Sequence, residues 1–125
     1  LLAKVPMFAA TEEGERQAIA QLLRPRFAVP GERIIGKGEK GREMYFIASV
    51  AVDVILPETP IRLGSGDFFG EMALLRHAPR NADVIALGYC KLLELRATDF
   101  NALLDKHPAL KARIVETAGQ RAAVN

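Results

Sequence analysis

Apolar residues along the chain fall first at helical and then at strand spacing. Ala18, Ile19, Leu22 and Leu23 form one stripe with a 3.6-residue period. Thr11 is placed to cap that helix, and Glu12, Glu13 and Glu15 suit its first turn. Pro25 is expected to end it. Before it, residues 1–8 carry apolar side chains around Pro6 and read as a short helix or linker packing on the domain. Short runs rich in β-formers follow, at residues 27–29, 33–35, 44–48, 51–56, 61–63, 82–87 and 90–95. Turn residues separate them, among them Pro30-Gly31, the glycine-rich 36–42 and Pro57-Glu58-Thr59-Pro60. Two more helical patterns close the chain. Thr98 or Asp99 is expected to cap the first, which carries Phe100, Leu103 and Leu104. Pro108 opens the second, with Leu110, Ile114 and Val115; Gly119 loosens its end, and residues 122–125 are expected to fray.

Helix, about eight short strands, then helices predicts an α+β chain that is mainly β, closed or sandwiched. One domain accounts for all 125 residues: a helical lead-in at 1–24, a β structure at 26–96 and C-terminal helices at 98–123. Half the residues are apolar and 26% charged, as in an ordinary globular chain. The net charge of +2 gives no reason to invoke nucleic acid as a partner. Cys90 is alone, so no internal disulfide can form and a reducing, cytoplasmic setting is expected. Cys90 itself reads as a small buried hydrophobe. No apolar run approaches the ~20 residues of a membrane span, and no signal peptide is visible. The start at Leu1-Leu2-Ala3, without Met, suggests a piece of a longer protein.

Catalytic patterns are absent. His77 and His107 lack partners at metal spacing; the one reads as a solvated loop residue, the other as a helix boundary. Neither Ser49 nor Ser65 sits in a nucleophile elbow. Asp67 reads as a turn residue rather than as half of a carboxylate pair with Glu71. Residues 36–42 lack the Gly-Lys-Ser/Thr ending of a P-loop and are taken as a sheet turn.

The chemistry concentrates in residues 66–84, Gly66-Asp67-Phe68-Phe69-Gly70-Glu71-Met72-Ala73-Leu74-Leu75 through Pro79-Arg80-Asn81-Ala82-Asp83-Val84. It reads as turn, short helix, turn, strand, with Asp67 or Gly70 opening the helix and Pro79 ending it. A helix start offers free N–H groups to an anion, and Gly70 permits close approach. Arg80 can fold back with a planar fork suited to two phosphate oxygens. Glu71 would repel that anion unless it accepts from a sugar hydroxyl. Phosphate on one side and ribose on the other point to a nucleotide.

The run 69–75 followed by Pro79-Arg80-Asn81-Ala82 resembles the phosphate-binding cassette of cyclic nucleotide-binding domains. The strand Met44-Tyr45-Phe46-Ile47 is also similar to one recurring in that family. Arg42 stands where the family usually has an acid, and Val50 where it usually has a turn glycine. A β-branched residue at positive φ would be strained there.

The resemblance implies a jelly-roll-like β-roll with flanking helices, and a regulatory module rather than an enzyme. Arg80 would hold the cyclic phosphate. The backbone of Gly70, Met72, Ala73, Leu74 and Ala82 would line the sugar-phosphate, and Glu71 would take the ribose 2′-hydroxyl. Ile61 and Leu63 would wall the base. Asn81 stands where Thr or Ser in some relatives touches guanine, so cyclic AMP is preferred, with cyclic GMP the alternative. Arg121 corresponds to a basic residue that contacts the base in some channel relatives; the bland reading is a solvated Arg on a fraying end. If the last helix is a lid, it is expected to be mobile without ligand and to fold over the base when ligand arrives. Arg80→Ala is expected to leave the ligand-free fold nearly unperturbed. The ligand is the only small molecule implied, with no cofactor or metal. The parent would be membrane-embedded, with this domain on its cytoplasmic face, as in bacterial nucleotide-gated channels or some sodium/proton antiporters, and homo-oligomeric through the parent. The competing readings are a degenerate, ligand-free β-roll serving interaction or dimerisation, and the sensor of a transcription regulator without its DNA-binding part.

Overall fold

The computed structural model describes residues 13–124. Residues 1–8 and the capping position Thr11 lie outside that range. The order is α1 (Glu13–Leu22), β1 (Leu23–Ala28), β2 (Arg33–Ile35), β3 (Glu43–Ser49), β4 (Ala51–Ile55), β5 (Ile61–Gly64), β6 (Phe68–Phe69), α2 (Glu71–Arg76), β7 (Asp83–Ala86), β8 (Cys90–Arg96), α3 (Ala97–Lys106) and α4 (Pro108–Val124). Two antiparallel four-stranded sheets form, β1-β8-β3-β6 and β2-β7-β4-β5. The expected mainly-β architecture with flanking helices is therefore present.

The first sheet is covered on both faces. This explains why Met44, Tyr45, Phe46 and Ile47 are consecutive apolar residues and all buried. Tyr45 and Ile47 join Phe69, Val84 and Leu92 between the sheets, while Met44 and Phe46 join Ile19, Leu95, Phe100, Leu103 and Ile114 against the helices. Cys90 is buried in the inter-sheet core, as expected.

Several boundaries differ from the sequence reading. Pro25 does not end α1: the helix stops at Leu22, and Pro25 lies inside β1, opposite Leu93. β1 is an edge strand, where a missing N–H is tolerated. The helical stripe shrinks accordingly. Ile19 is buried, Ala18 is exposed, and Leu23 is buried from the strand. Neither Thr98 nor Asp99 caps α3; Arg96 holds that position without a side-chain bond. α2 ends at Arg76, ahead of Pro79, because His77 turns left-handed at φ 52°. α4 runs through Gly119 to Val124, and its buried face is Leu110, Ile114 and Ala118, with Val115 exposed. Val50 does adopt positive φ, at 72°. No helix among the described residues is long and apolar enough to cross a membrane, and none of their His, Cys, Asp and Glu side chains group for a metal.

Candidate functional site

The site starts from β6, whose two residues pair with β3 as Tyr45↔Phe69 and Phe46↔Phe68. Asp67 supplies the preceding turn, its Oδ2 accepting from the Gly64 N–H at 2.9 Å. The chain then turns sharply through Gly70, at φ 86°, into α2. A Cβ on Gly70 would lie 2.9 Å from Arg80 Nη1 and 3.3 Å from the Glu43 carbonyl oxygen. Glycine is needed there for both its backbone angle and its lack of a side chain.

Arg80 is brought back under this turn by pinning to the β2–β3 loop. Its N–H donates to the Glu39 carbonyl, its carbonyl accepts from the Gly38 N–H, and Pro79 bridges to Lys40. The guanidinium is buried. Nη1 donates to the Gly70 carbonyl at 2.9 Å, and Nη2 donates to the Glu43 carbonyl at 2.6 Å and to Glu43 Oε1 at 3.4 Å. Gly41 leaves room for it, since a Cβ there would stand 3.1 Å from Arg80 Cζ. Burial pulls the Arg80 pKa down and Glu43 opposes it; an arginine stays charged regardless.

Glu71 opens α2 and is only 1% exposed. Its Oε1 accepts from Arg121 Nη1 at 2.5 Å, across 50 residues of chain. Arg121 Nη2 also donates to the Phe68 carbonyl at 2.7 Å, and its guanidinium lies 4.8 Å from the centre of the Phe68 ring. Glu71 Oε2 is buried with no hydrogen-bond partner. Burial raises the Glu71 pKa above the ordinary carboxylate value, and the Arg121 charge works against that rise. An unsatisfied buried carboxylate oxygen costs free energy unless something donates to it.

These groups meet at a cavity of about 80 Å³. Val54, Leu56, Ile61 and Leu63 make an aliphatic wall, while Glu71, Arg80, Asn81 and Arg121 supply the polar atoms. Such a site can hold an anion near Arg80, accept from a hydroxyl at Glu71 and cover a flat apolar group.

Residues 25–107 match the cyclic nucleotide-binding domain family. The chain belongs to that family. It is 41% identical to a cyclic nucleotide-gated potassium channel of Rhizobium etli over 97% of its own length, but spans only 34% of that channel. Two solved structures share the fold of this domain. The regulatory domain of Toxoplasma gondii protein kinase A, crystallised with cAMP, gives a TM-score of 0.77 at 27% identity, over 94% of this chain and 47% of that one. A regulatory subunit of a cAMP-independent protein kinase A from Trypanosoma brucei gives 0.83 at 25% identity, over 94% and 44%. The cyclic nucleotide-binding fold thus occurs in a protein kinase A described as cAMP-independent, so ligand binding has to be argued from side chains.

Of the residues expected in the pocket of this cyclic nucleotide-binding domain, Ile61, Leu63, Gly70, Glu71, Met72, Ala73, Arg80, Asn81, Ala82 and Arg121 all line the one cavity. Leu74 does not; it packs into the core beneath the helices. Arg121 is not a solvated end residue, since it is bonded to Glu71. Val54 and Leu56 were missed, although strand alternation from buried Val52 puts all three on one face. Glu43, which holds Arg80, carries no sequence signal of its own.

Proposed function

We propose that this domain binds a cyclic nucleotide, with cyclic AMP favoured, and reports it to a larger ion-channel protein through α4. The observation that carries this reading is the buried Glu71 with one oxygen lacking a donor, in a cavity that also holds Arg80. A ribose 2′-hydroxyl supplies the missing donor, and a cyclic phosphate supplies the charge that Arg80 can take through its remaining N–H groups. Ile61, Leu63, Val54 and Leu56 suit the face of a purine. Membership of the cyclic nucleotide-binding domain family and the likeness to a channel support a regulatory role rather than a catalytic one. The name of the Rhizobium etli relative supports a channel as the parent; a cytoplasmic side for this domain is part of the proposal.

Calorimetric titration with cyclic AMP and cyclic GMP tests the binding. A dissociation constant near 1 μM, about −8 kcal/mol, or tighter is expected. Glu71→Ala should weaken cyclic AMP while leaving its 2′-deoxy analogue almost unaffected. No heat with either nucleotide at millimolar concentration would mean a ligand-free β-roll acting as an interaction module. That alternative has one observation in its favour: Arg121 already occupies Glu71 Oε1.

A further inference from the structure

A single residue, His107, joins α3 to α4, and its backbone serves both helices. Its N–H donates to the Leu103 and Leu104 carbonyls at 3.1 and 3.3 Å, which closes α3. Its carbonyl accepts from the Lys111 N–H at 3.0 Å, in the first turn of α4. Its own backbone, at φ −131° and ψ 77°, is helical in neither direction, so the chain bends there. The side chain reaches a third element. Imidazole Nδ1 stands 3.2 Å from Glu15 Oε2 on α1. The His107 side chain is 15% exposed and that of Glu15 48%. Glu15 lies four residues before Ile19, so the two share a face of α1, and Ile19 is buried with Leu103, Leu104, Leu110 and Ile114. Among the described residues Glu15 is the charged group paired with this ring from another element. The other charged groups of α1 are Glu13 and Arg16, and on the ring's own stretch Asp105, Lys106 and Lys111 are exposed neighbours.

Histidine is the side chain whose charge ordinarily changes between pH 5 and 8, while a carboxylate ordinarily stays ionised across that span. The attraction between the two therefore belongs to the acid side of the span and fades on the alkaline side. We propose that His107 and Glu15 form a pH-sensitive clasp that sets how firmly α4 is held. With the imidazole charged, α1 grips the elbow, and α4 is kept where Arg121 reaches Glu71 and the Phe68 carbonyl. With it neutral, α4 is left with the backbone bonds of the elbow, the packing of Leu110, Ile114 and Ala118, and the Arg121 latch itself. The effect is modest, because Glu15 is half in water, and a pair of that kind moves an equilibrium about two- to fivefold. The clasp rests on the nucleotide reading only for what α4 reports, not for its own existence.

The test is amide exchange of the whole chain without nucleotide at about pH 5.5 and about pH 8, each rate divided by that of an unstructured chain at the same pH. In Glu15→Gln, protection across residues 114–121 is expected to fall about two- to fivefold below wild type at the lower pH and to equal it at the higher. His107→Gln, which cannot titrate, should behave like Glu15→Gln, and combining the two should add nothing. Glu13→Gln, an exposed acid on the same helix, should match wild type at both pH values. Any titration of Glu71 is common to wild type and variants and cancels in these ratios. The proposal falls if the ratio of Glu15→Gln to wild type is the same at both pH values, or if Glu13→Gln has an equal effect. It falls equally if residues 92–95 of β8 lose protection by the same factor, since the contact then serves global stability and not α4. Should His107→Gln fail to fold, the Glu15→Gln ratio decides alone. Because no nucleotide is present, failure here leaves the nucleotide pocket untouched, and failure of the calorimetry leaves this result standing.

Discussion

Gly70 and Val50, at the two ends of the β-roll, both adopt left-handed backbone, and they do so for different reasons. At the pocket end the residue is Gly70, at φ 86°; at the opposite end, between β3 and β4, it is Val50, at φ 72°. A side chain on Gly70 would run into the guanidinium of Arg80, so the packing of the site dictates glycine. At the far end the turn geometry sets the angle, and a half-exposed valine endures it. Its Cγ1 packs where a Cβ on Gly88 would stand, 2.9 Å away. Backbone strain therefore marks function only where neighbouring groups require the conformation. Substitutions at the pocket end should cost binding. Substitutions at the far end should change stability alone.

The largest effect is expected from Arg80→Ala. Nucleotide binding should fall a hundredfold or more, through loss of the charge-assisted phosphate contact. The ligand-free fold should suffer as well, contrary to the sequence-based expectation. The Gly70 and Glu43 carbonyls that Arg80 satisfies would be left buried, at about 1–3 kcal/mol each. Calorimetry and urea denaturation read the two losses separately. Full retention of stability would show that water replaces the guanidinium.

Arg121→Ala comes next. Arg121 on α4 donates to Glu71 and to the Phe68 carbonyl, which latches the last helix to the cassette. Removing the latch should speed amide exchange across residues 114–121 in the free domain. It should also weaken nucleotide about tenfold, chiefly through faster dissociation. If exchange rises while dissociation is unchanged, Arg121 serves the resting latch only and hands Glu71 over to the ligand.

A smaller, pH-dependent effect belongs to Glu71. Its folded pKa is raised above 4.5, mainly by burial. The folded state therefore holds the proton more tightly than the unfolded chain, and this contribution is fully present below pH 4.5. It is lost as pH rises through the folded value. Melting temperatures of the wild type relative to Glu71→Gln should thus fall as pH is raised from 4 toward 8. A flat difference would mean that the Arg121 charge offsets burial completely.

How much of this was legible follows from sequence distance. Gly70, Glu71 and Arg80 lie within eleven positions, and their spacing alone announces the pocket. The Glu71–Arg121 bond spans 50 residues and depends on how α4 packs through Leu110, Ile114 and Ala118. Helical spacing from Pro108 could place Arg121 near the site but could not choose its partner. Glu43 holds Arg80 chiefly through its backbone carbonyl, at 2.6 Å against 3.4 Å for its carboxylate, and no side-chain pattern encodes that. Pro25 misled because an edge strand tolerates a residue that a helix does not.

The smallest effect tests the far end directly. A β-branched residue in left-handed backbone costs about 1–2 kcal/mol, which glycine would not incur. Glycine has its own disadvantage, since the unfolded chain gains about 0.4–1 kcal/mol of conformational entropy. Val50 also loses its packing beside Gly88. The balance for Val50→Gly is a gain of roughly 0.5–1 kcal/mol, or about 2–4 °C in melting temperature for a domain of this size. Val50→Asn should recover part of that gain, because asparagine tolerates the left-handed region while keeping a side chain. Nucleotide affinity should stay the same in both, since residue 50 lies in the turn before β4 and does not line the cavity. A loss of affinity in Val50→Gly would mean that the β3–β4 turn transmits strain along β4 to the base wall, and the contrast between the two ends would collapse.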